Sequence, residues 1–330
     1  MSPAGDRARA ALHGLALGDA LGMPTQMMSR PQIRAAFAVL DGFRPAAPDH
    51  PLAAGLAAGT ITDDTEQALL LAGLLIQGAG HVDPETFAQA LVQWEERMRA
   101  KGSLDLLGPS TKRAVTAVTA GVAVEEAGRF GTTNGAAMRV TPVGLLMPPT
   151  DLVALVDRVV EVSRVTHHTG VALAGAAAVA AAVSAGIEGS TVAQASVAAV
   201  EAARIGAERG HWVAGADVAR RIGWAISLVD PARPEQSLED IYQLVGTSLA
   251  TQESVPAAFG VLAVFPDDPW RAMTAAASLG GDTDTVAAMV GAVAGACCGM
   301  SALPAAAIET VLRVNGLDLG AVAARLLALR

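Results

Sequence analysis

The chain is patterned as long uncharged runs, each entered through a short cluster of acids, hydroxyls and glycines. Val286 to Met300 follows Gly280-Gly281-Asp282-Thr283-Asp284-Thr285, and Ala68 to Ile76 follows Thr60-Ile61-Thr62-Asp63-Asp64-Thr65. Gly170 to Ile187 comes directly after Thr166-His167-His168-Thr169. Runs of Ala, Gly and Leu with few β-branched residues predict buried helices packed closely through small side chains. Arg7 to Leu21 is likewise apolar nearly all round and stops at Gly22-Met23-Pro24. Pro84 to Lys101 and Asp151 to Arg164 predict amphipathic helices with a charged face. Further helices are expected over Pro109 to Val124, Thr191 to Glu208, Val213 to Leu228 after a break, and Leu238 to Leu249 beyond Pro231 and Pro234. Glu253 to Val264, Pro269 to Ser278, Pro304 to Val314 and Leu317 to Leu329 complete an all-α pattern. Residues 41–59, with Pro45, Pro48, Pro51 and several glycines, predict an irregular connection that delivers the chain to the first acidic cluster. No repeat period and no low-complexity linker divides residues 1–330, which read as one domain.

Composition narrows the function classes. Hydrophobic residues make up 52% and charged residues 17%, which excludes long disorder and provides for a large core. Aromatics are 3%, with Tyr242 the single tyrosine, which disfavours a β-sandwich or barrel. A formal charge of −9 without a Lys/Arg patch argues against a nucleic-acid partner. The two cysteines, Cys297 and Cys298, are adjacent in a small-residue run; they form no disulfide framework and fit a reducing cytoplasm. Met1 to Ala11 lacks a signal-peptide pattern. Gly170 to Ile187 and Val286 to Leu303 pass for membrane spans by length. Their Ala/Gly composition, polar entrances and lack of a Trp/Tyr belt favour buried helices and no membrane.

The chemistry concentrates in the two acidic clusters. Asp and Thr before an apolar helix are ordinary N-caps, but one cap needs one oxygen and each cluster offers several. If the clusters converge, four aspartates repel unless cations lie between them. With only oxygen donors, Mg²⁺ or Mn²⁺ fits better than Zn²⁺ or copper, and four carboxylates suit a pair of ions. Phe130 to Arg139 is a turn-rich, small-residue stretch that either lets backbone N–H groups approach an anion or simply joins two helices. The His167-His168 pair, at an expected helix start, is a substrate or capping candidate. Asp19, inside an apolar run, needs a partner.

Taken in order, Gly18-Asp19-Ala20-Leu21-Gly22, Thr62-Asp63-Asp64-Thr65, Asn134-Gly135-Ala136-Ala137-Met138-Arg139, Thr166-His167 and Gly280-Gly281-Asp282-Thr283-Asp284-Thr285 resemble the motifs of the ADP-ribosylglycohydrolases across nearly the whole chain. The resemblance implies a single compact orthogonal helical domain that hydrolyses ADP-ribosylated protein or small-molecule substrates. It implies two Mg²⁺ or Mn²⁺ ions held by Thr62, Asp63, Asp64, Asp282, Asp284 and Thr285, which grip the distal ribose while water attacks the anomeric carbon. It further implies that Gly131, Thr132, Asn134 and Gly135 cradle the diphosphate, with His167 beside them and Asp19 in the site. One departure stands out. Many members carry a glutamate shortly after the first motif, and here Gln26 occupies the aligned position; an amide does not accept a proton as a carboxylate does. The base role then falls to Asp63 or Asp284. A ribosyl hydrolase of nucleoside-like substrates and a non-catalytic ADP-ribose-binding protein are the alternatives.

Overall fold

Two antiparallel helices, Pro3–Gly22 and Thr283–Cys298, form the axis of the molecule in a computed structural model that describes residues 2–103 and 107–330. Their backbones touch. A Cβ built on Gly14 would lie 2.0 Å from the Gly291 carbonyl oxygen, one on Gly18 would lie 1.9 Å from that of Ala287, and one on Gly295 would lie 2.2 Å from that of Ala10. Residues four apart share a helix face, so Gly14, Gly18 and Gly22 make one smooth row against which the second helix lies. The pairing order, 10 with 295, 14 with 291 and 18 with 287, brings the end of the first helix to the start of the second. There a Cβ on Gly22 would be 2.4 Å from the Asp284 Cα. The Gly18-Asp19-Ala20-Leu21-Gly22 motif is thus a packing device that sets the depth of the second acidic cluster.

Around this pair one hydrophobic core runs from Ala8 to Leu326. Gly170–Ile187 is the one described helix long and apolar enough to cross a membrane, and 89% of it is buried inside the protein. The described residues contain no strand, only two isolated bridges, Thr133 with Ala250 and Thr169 with His211. The all-α expectation holds.

Several boundaries differ from the expected ones, each for a local reason. Pro109 to Val124 is not one helix: Pro109–Thr119 ends before Gly121, whose φ of 89° breaks the turn, and a separate short helix covers Val124–Ala127. Leu238 to Leu249 is displaced. Pro234 starts a helix instead of breaking one, because the missing N–H costs nothing in a first turn; Pro234–Asp240 is followed by a widened π turn over Ile241–Val245. The helix expected from Val213 begins at Val218, where the Asp217 carboxylate accepts from the Arg220 N–H at 2.8 Å. His167 ends the helix Leu152–His167 rather than starting one. A short helix, Arg30–Phe37, was not anticipated; it is entered by a capping box between Ser29 and Gln32. Residues 41–59 are irregular as expected. His50 Nδ1 accepts from the Ala53 N–H at 2.9 Å, so its Nε2 carries the proton and donates to the Gln26 carbonyl at 3.0 Å, tying this connection to the site.

Candidate active site

The helix Asp63–Gln77 is delivered to the site by Asp19. The Asp19 carboxylate, wholly buried, accepts from the Thr62 N–H (2.9 Å) and hydroxyl (2.8 Å) and from the Thr65 N–H (3.1 Å) and hydroxyl. These are donors that a helix start leaves unpaired. Burial pushes the Asp19 carboxyl up to about 6 while the Thr65 and Thr62 hydrogen bonds pull against it. Asp19 therefore faces the Asp63 helix and is not among the residues that line the cavity.

The second cluster is set by a backbone reversal. Gly280 and Gly281 take φ of 98° and 80°, a region costly for other residues, and the Asp282 N–H then donates to the Thr247 carbonyl at 2.8 Å. Asp282 is the N-cap residue of the Thr283 helix but makes no side-chain capping bond. Its Oδ2 instead accepts from Asn134 Nδ2 at 2.5 Å. The Thr285 hydroxyl donates to Asp64 Oδ2 at 3.2 Å and joins the two helix starts directly. The capping reading of the clusters thus accounts for Thr62, which accepts from the Asp64 N–H, and leaves the aspartates unexplained.

Both helix starts open onto a cavity of about 260 Å³. Its acidic wall is Asp63, Asp282, Asp284 and Thr285, and Thr133, Asn134 and Gly135 with Thr111 form a loop wall that joins the acidic one where Asn134 meets Asp282. Gln26 and Met27 also line it, as do Leu52, from the irregular connection, and Leu249. Gln26 is buried, and its Nε2 has no hydrogen-bond partner. Thr133, absent from the sequence-based site, is part of the wall. Gly131, Thr132 and His167 are not. A Cβ on Gly131 would lie 2.1 Å from the Thr166 carbonyl, and Thr132 accepts through its own carbonyl from the Thr251 hydroxyl at 2.9 Å. His167 is wholly buried one layer behind, 3.1 Å from the Thr133 hydroxyl. The small residues of this loop serve close approach to the Leu152–His167 helix, a requirement that composition alone does not distinguish from anion binding.

The carboxylates resist ionisation where they stand. Burial holds Asp64 well above the usual carboxylate range, and Asp284, Asp63, Asp19 and Asp282 add to the shift. Burial also raises Asp282, against hydrogen bonds from Asn134, Thr285 and Asp284. Asp64 Oδ1 is buried without a hydrogen-bond partner, an orphaned hard oxygen between two acidic helix starts. Among the described residues no three Asp, Glu, His or Cys side chains already stand close enough together to enclose an ion. The Thr62 and Thr285 hydroxyls beside Asp64 are oxygen donors of the kind that a hard cation takes together with carboxylates.

Against known proteins, the sequence model of the ADP-ribosylglycohydrolase family matches residues 1–330. The chain belongs to the ADP-ribosylglycohydrolase family. Within and around that family, it is 36% identical over 314 residues to the uncharacterized protein YegU of Escherichia coli, covering 95% of this chain and 94% of that one. It is 27% identical over 314 residues to the ADP-ribosylarginine hydrolase Tri1 of Pseudomonas putida, covering 93% of this chain and 74% of the other. A solved ADP-ribosylglycohydrolase-related protein complex superposes with a TM-score of 0.71 at 25% identity, covering 100% of this chain and 99% of that one. As an ADP-ribosylglycohydrolase-family member, the chain has the helical fold expected from its sequence.

Proposed function

We propose that this protein is a divalent-metal-dependent hydrolase of the glycosidic bond between the distal ribose of ADP-ribose and a protein side chain or small-molecule acceptor. The observation that carries the reading is the meeting of two acidic helix starts and the 133–135 loop around one cavity. Thr62, Asp63, Asp64, Asp282, Asp284 and Thr285 would hold two ions, Mg²⁺ or Mn²⁺, and when bound these would supply positive charge to orient ribose hydroxyls. The chain's own residues do the rest. Asn134 fixes Asp282, Thr285 fixes Asp64, and Asp63 or Asp284 accepts the proton from the attacking water. In the reaction the bond from the anomeric carbon to the acceptor nitrogen or oxygen breaks, water oxygen takes its place, and a proton passes to the acceptor. Carboxylates close to the ribose favour the positive charge that develops there. The likeness to an ADP-ribosylarginine hydrolase makes an arginine-linked substrate the first to try.

Gln26 supports a second reading, a protein that binds ADP-ribose without turning it over, since an amide that does not act as a proton acceptor lines the cavity at the position where the family resemblance implies a glutamate. Release of free ADP-ribose from arginine-, serine- and small-molecule-linked conjugates, with Mg²⁺ or Mn²⁺ and with a chelator, separates the two. Chelator-sensitive release is the expected result. Binding of ADP-ribose with no release from any conjugate would establish the second reading, and no binding would turn attention to nucleoside-like ribosyl substrates.

A further inference from the structure

A chain of buried hydrogen bonds runs behind the cavity from the acidic wall to the loop wall. Asp63 Oδ2 accepts from Gln67 Nε2 at 2.7 Å, and Gln67 Oε1 accepts from Arg139 Nη1 at 3.0 Å. Arg139 Nη2 donates to the Thr166 hydroxyl at 2.5 Å. That hydroxyl lies 2.8 Å from His167 Nδ1, and His167 Nε2 lies 3.1 Å from the Thr133 hydroxyl. Gln67, Thr166 and His167 are fully buried, and Arg139 is 1% exposed, stacked over Phe87 at 5.2 Å. A buried guanidinium placed this way is too costly to be incidental.

The direction of the chain follows from what each group is able to do. Guanidinium only donates, so Arg139 occupies a lone pair of Thr166 Oγ1. The Thr166 hydrogen then has two acceptors, the Ser163 carbonyl at 3.5 Å and His167 Nδ1 at 2.8 Å. The first is at the limit of a hydrogen bond, and the second receives the proton. With Nδ1 accepting, the imidazole carries its hydrogen on Nε2 and donates it to Thr133 Oγ1. The ring has little freedom to turn away, because a Cβ on Gly135 would already lie 2.9 Å from its Cε1. The Thr133 hydroxyl hydrogen is left to point elsewhere, and Thr133 lines the cavity.

We propose that Arg139 and Thr166 are positioning residues that fix His167 in its Nε2-protonated tautomer, so that the Thr133 hydroxyl acts as a hydrogen-bond donor to an anionic oxygen of the bound ligand. The ligand half of this inference rests on the proposed ADP-ribose substrate, whose diphosphate supplies the anionic oxygen, and on Thr133 lining the cavity. With the opposite tautomer, Thr133 would turn a lone pair toward that oxygen and repel it.

The tautomer is read directly by long-range proton–nitrogen NMR on ligand-free protein with ¹⁵N-labelled histidine, the His167 signals assigned with His167→Asn. Nε2 protonation is expected at neutral pH. It should be retained in Thr166→Ser and lost or mixed in Thr166→Val; a general loss of packing would not produce that pattern. Calorimetry with ADP-ribose should then show about tenfold weaker binding for Thr133→Val, the worth of one hydrogen bond to a charged oxygen, with Thr133→Ser restoring it. Wild-type protein protonated on Nδ1, or a tautomer unchanged in Thr166→Val, would overturn the relay. Should Thr166→Val not fold, the wild-type tautomer alone decides. Absence of ADP-ribose binding in wild-type protein with the expected tautomer would overturn the diphosphate reading and leave the relay standing.

Discussion

On the acidic side, Asp63, Asp282 and Asp284 line the cavity with Asp64 buried beside them, and burial drives Asp64 and Asp282 upward together. On the loop wall, the polar groups instead complete one another in sequence, from Gln67 through Arg139 and Thr166 to His167 and Thr133. On one wall burial and like charge act against ionisation. The other is satisfied before any ligand binds, and burial keeps its histidine well below its ordinary range and so uncharged. The contrast separates residues kept for what they bind from residues kept for how they hold others, although both sets are polar and buried.

Breaking the acidic wall should give the largest functional effect. Asp284→Ala removes a carboxylate from the shared cluster, and calorimetry should record no heat on Mg²⁺ or Mn²⁺ addition. ADP-ribose release should fall at least about 10³-fold, in line with the several kcal/mol a bound cation supplies. An isotherm like that of the wild type would remove the metal assignment. The loop wall should respond in the opposite currency, stability before metal affinity. Arg139→Leu leaves Gln67 and Thr166 without their donor in a dry layer and removes a buried guanidinium, whose pKa burial has lowered to about 10 while the negative charge of Asp63 pulls it back up. A loss of about 3 kcal/mol is expected in urea unfolding, with divalent-ion affinity changed far less than in Asp284→Ala. A variant as stable as wild type would show that the relay is not a structural unit.

Much of the acidic wall was legible because its members are contiguous: two runs of acid and hydroxyl before apolar segments announce themselves without knowledge of the fold. The loop wall was legible only in part, through Asn134 and Gly135. Gln67, Thr133 and Arg139 are single residues whose meaning lies in partners far away in sequence, and a list of motif residues passes over Thr133 altogether. Asp19 was seen to need a partner, and Thr62 and Thr65 meet the need. The long helices followed from their uninterrupted runs of small residues. The split at Gly121 did not, since a glycine in an amphipathic stretch is tolerated as often as it breaks one; here positive φ decides.

A milder perturbation tests whether the walls are coupled through the imidazole. Gly135→Ala would place its Cβ 2.9 Å from His167 Cε1 and 3.1 Å from Nε2, so the ring or the loop must shift. About 1 to 3 kcal/mol of stability should be lost on thermal unfolding, together with the Thr133 contact. Since Gly135 also lines the cavity, ADP-ribose affinity should weaken in the same variant, while divalent-ion binding at the acidic wall stays close to wild type. Loss of metal binding in Gly135→Ala would mean that the two walls do not act separately.

The smallest expected effect is at Gln26, which belongs to neither wall. Its backbone carbonyl is held by His50 and its side chain reaches the cavity with an unpartnered Nε2. If Asp63 or Asp284 receives the proton from water, a carboxylate at position 26 adds an acceptor where one is already present. It also adds a fifth negative charge to a crowded site, which raises the acidity problem without improving the chemistry. Gln26→Glu should therefore change the rate of ADP-ribose release by less than about tenfold, well below the 10²- to 10⁴-fold that a positioned general base contributes. A gain of that larger size would show that the wild-type site lacks its base, and would move the protein from the hydrolase reading to that of an ADP-ribose-binding protein.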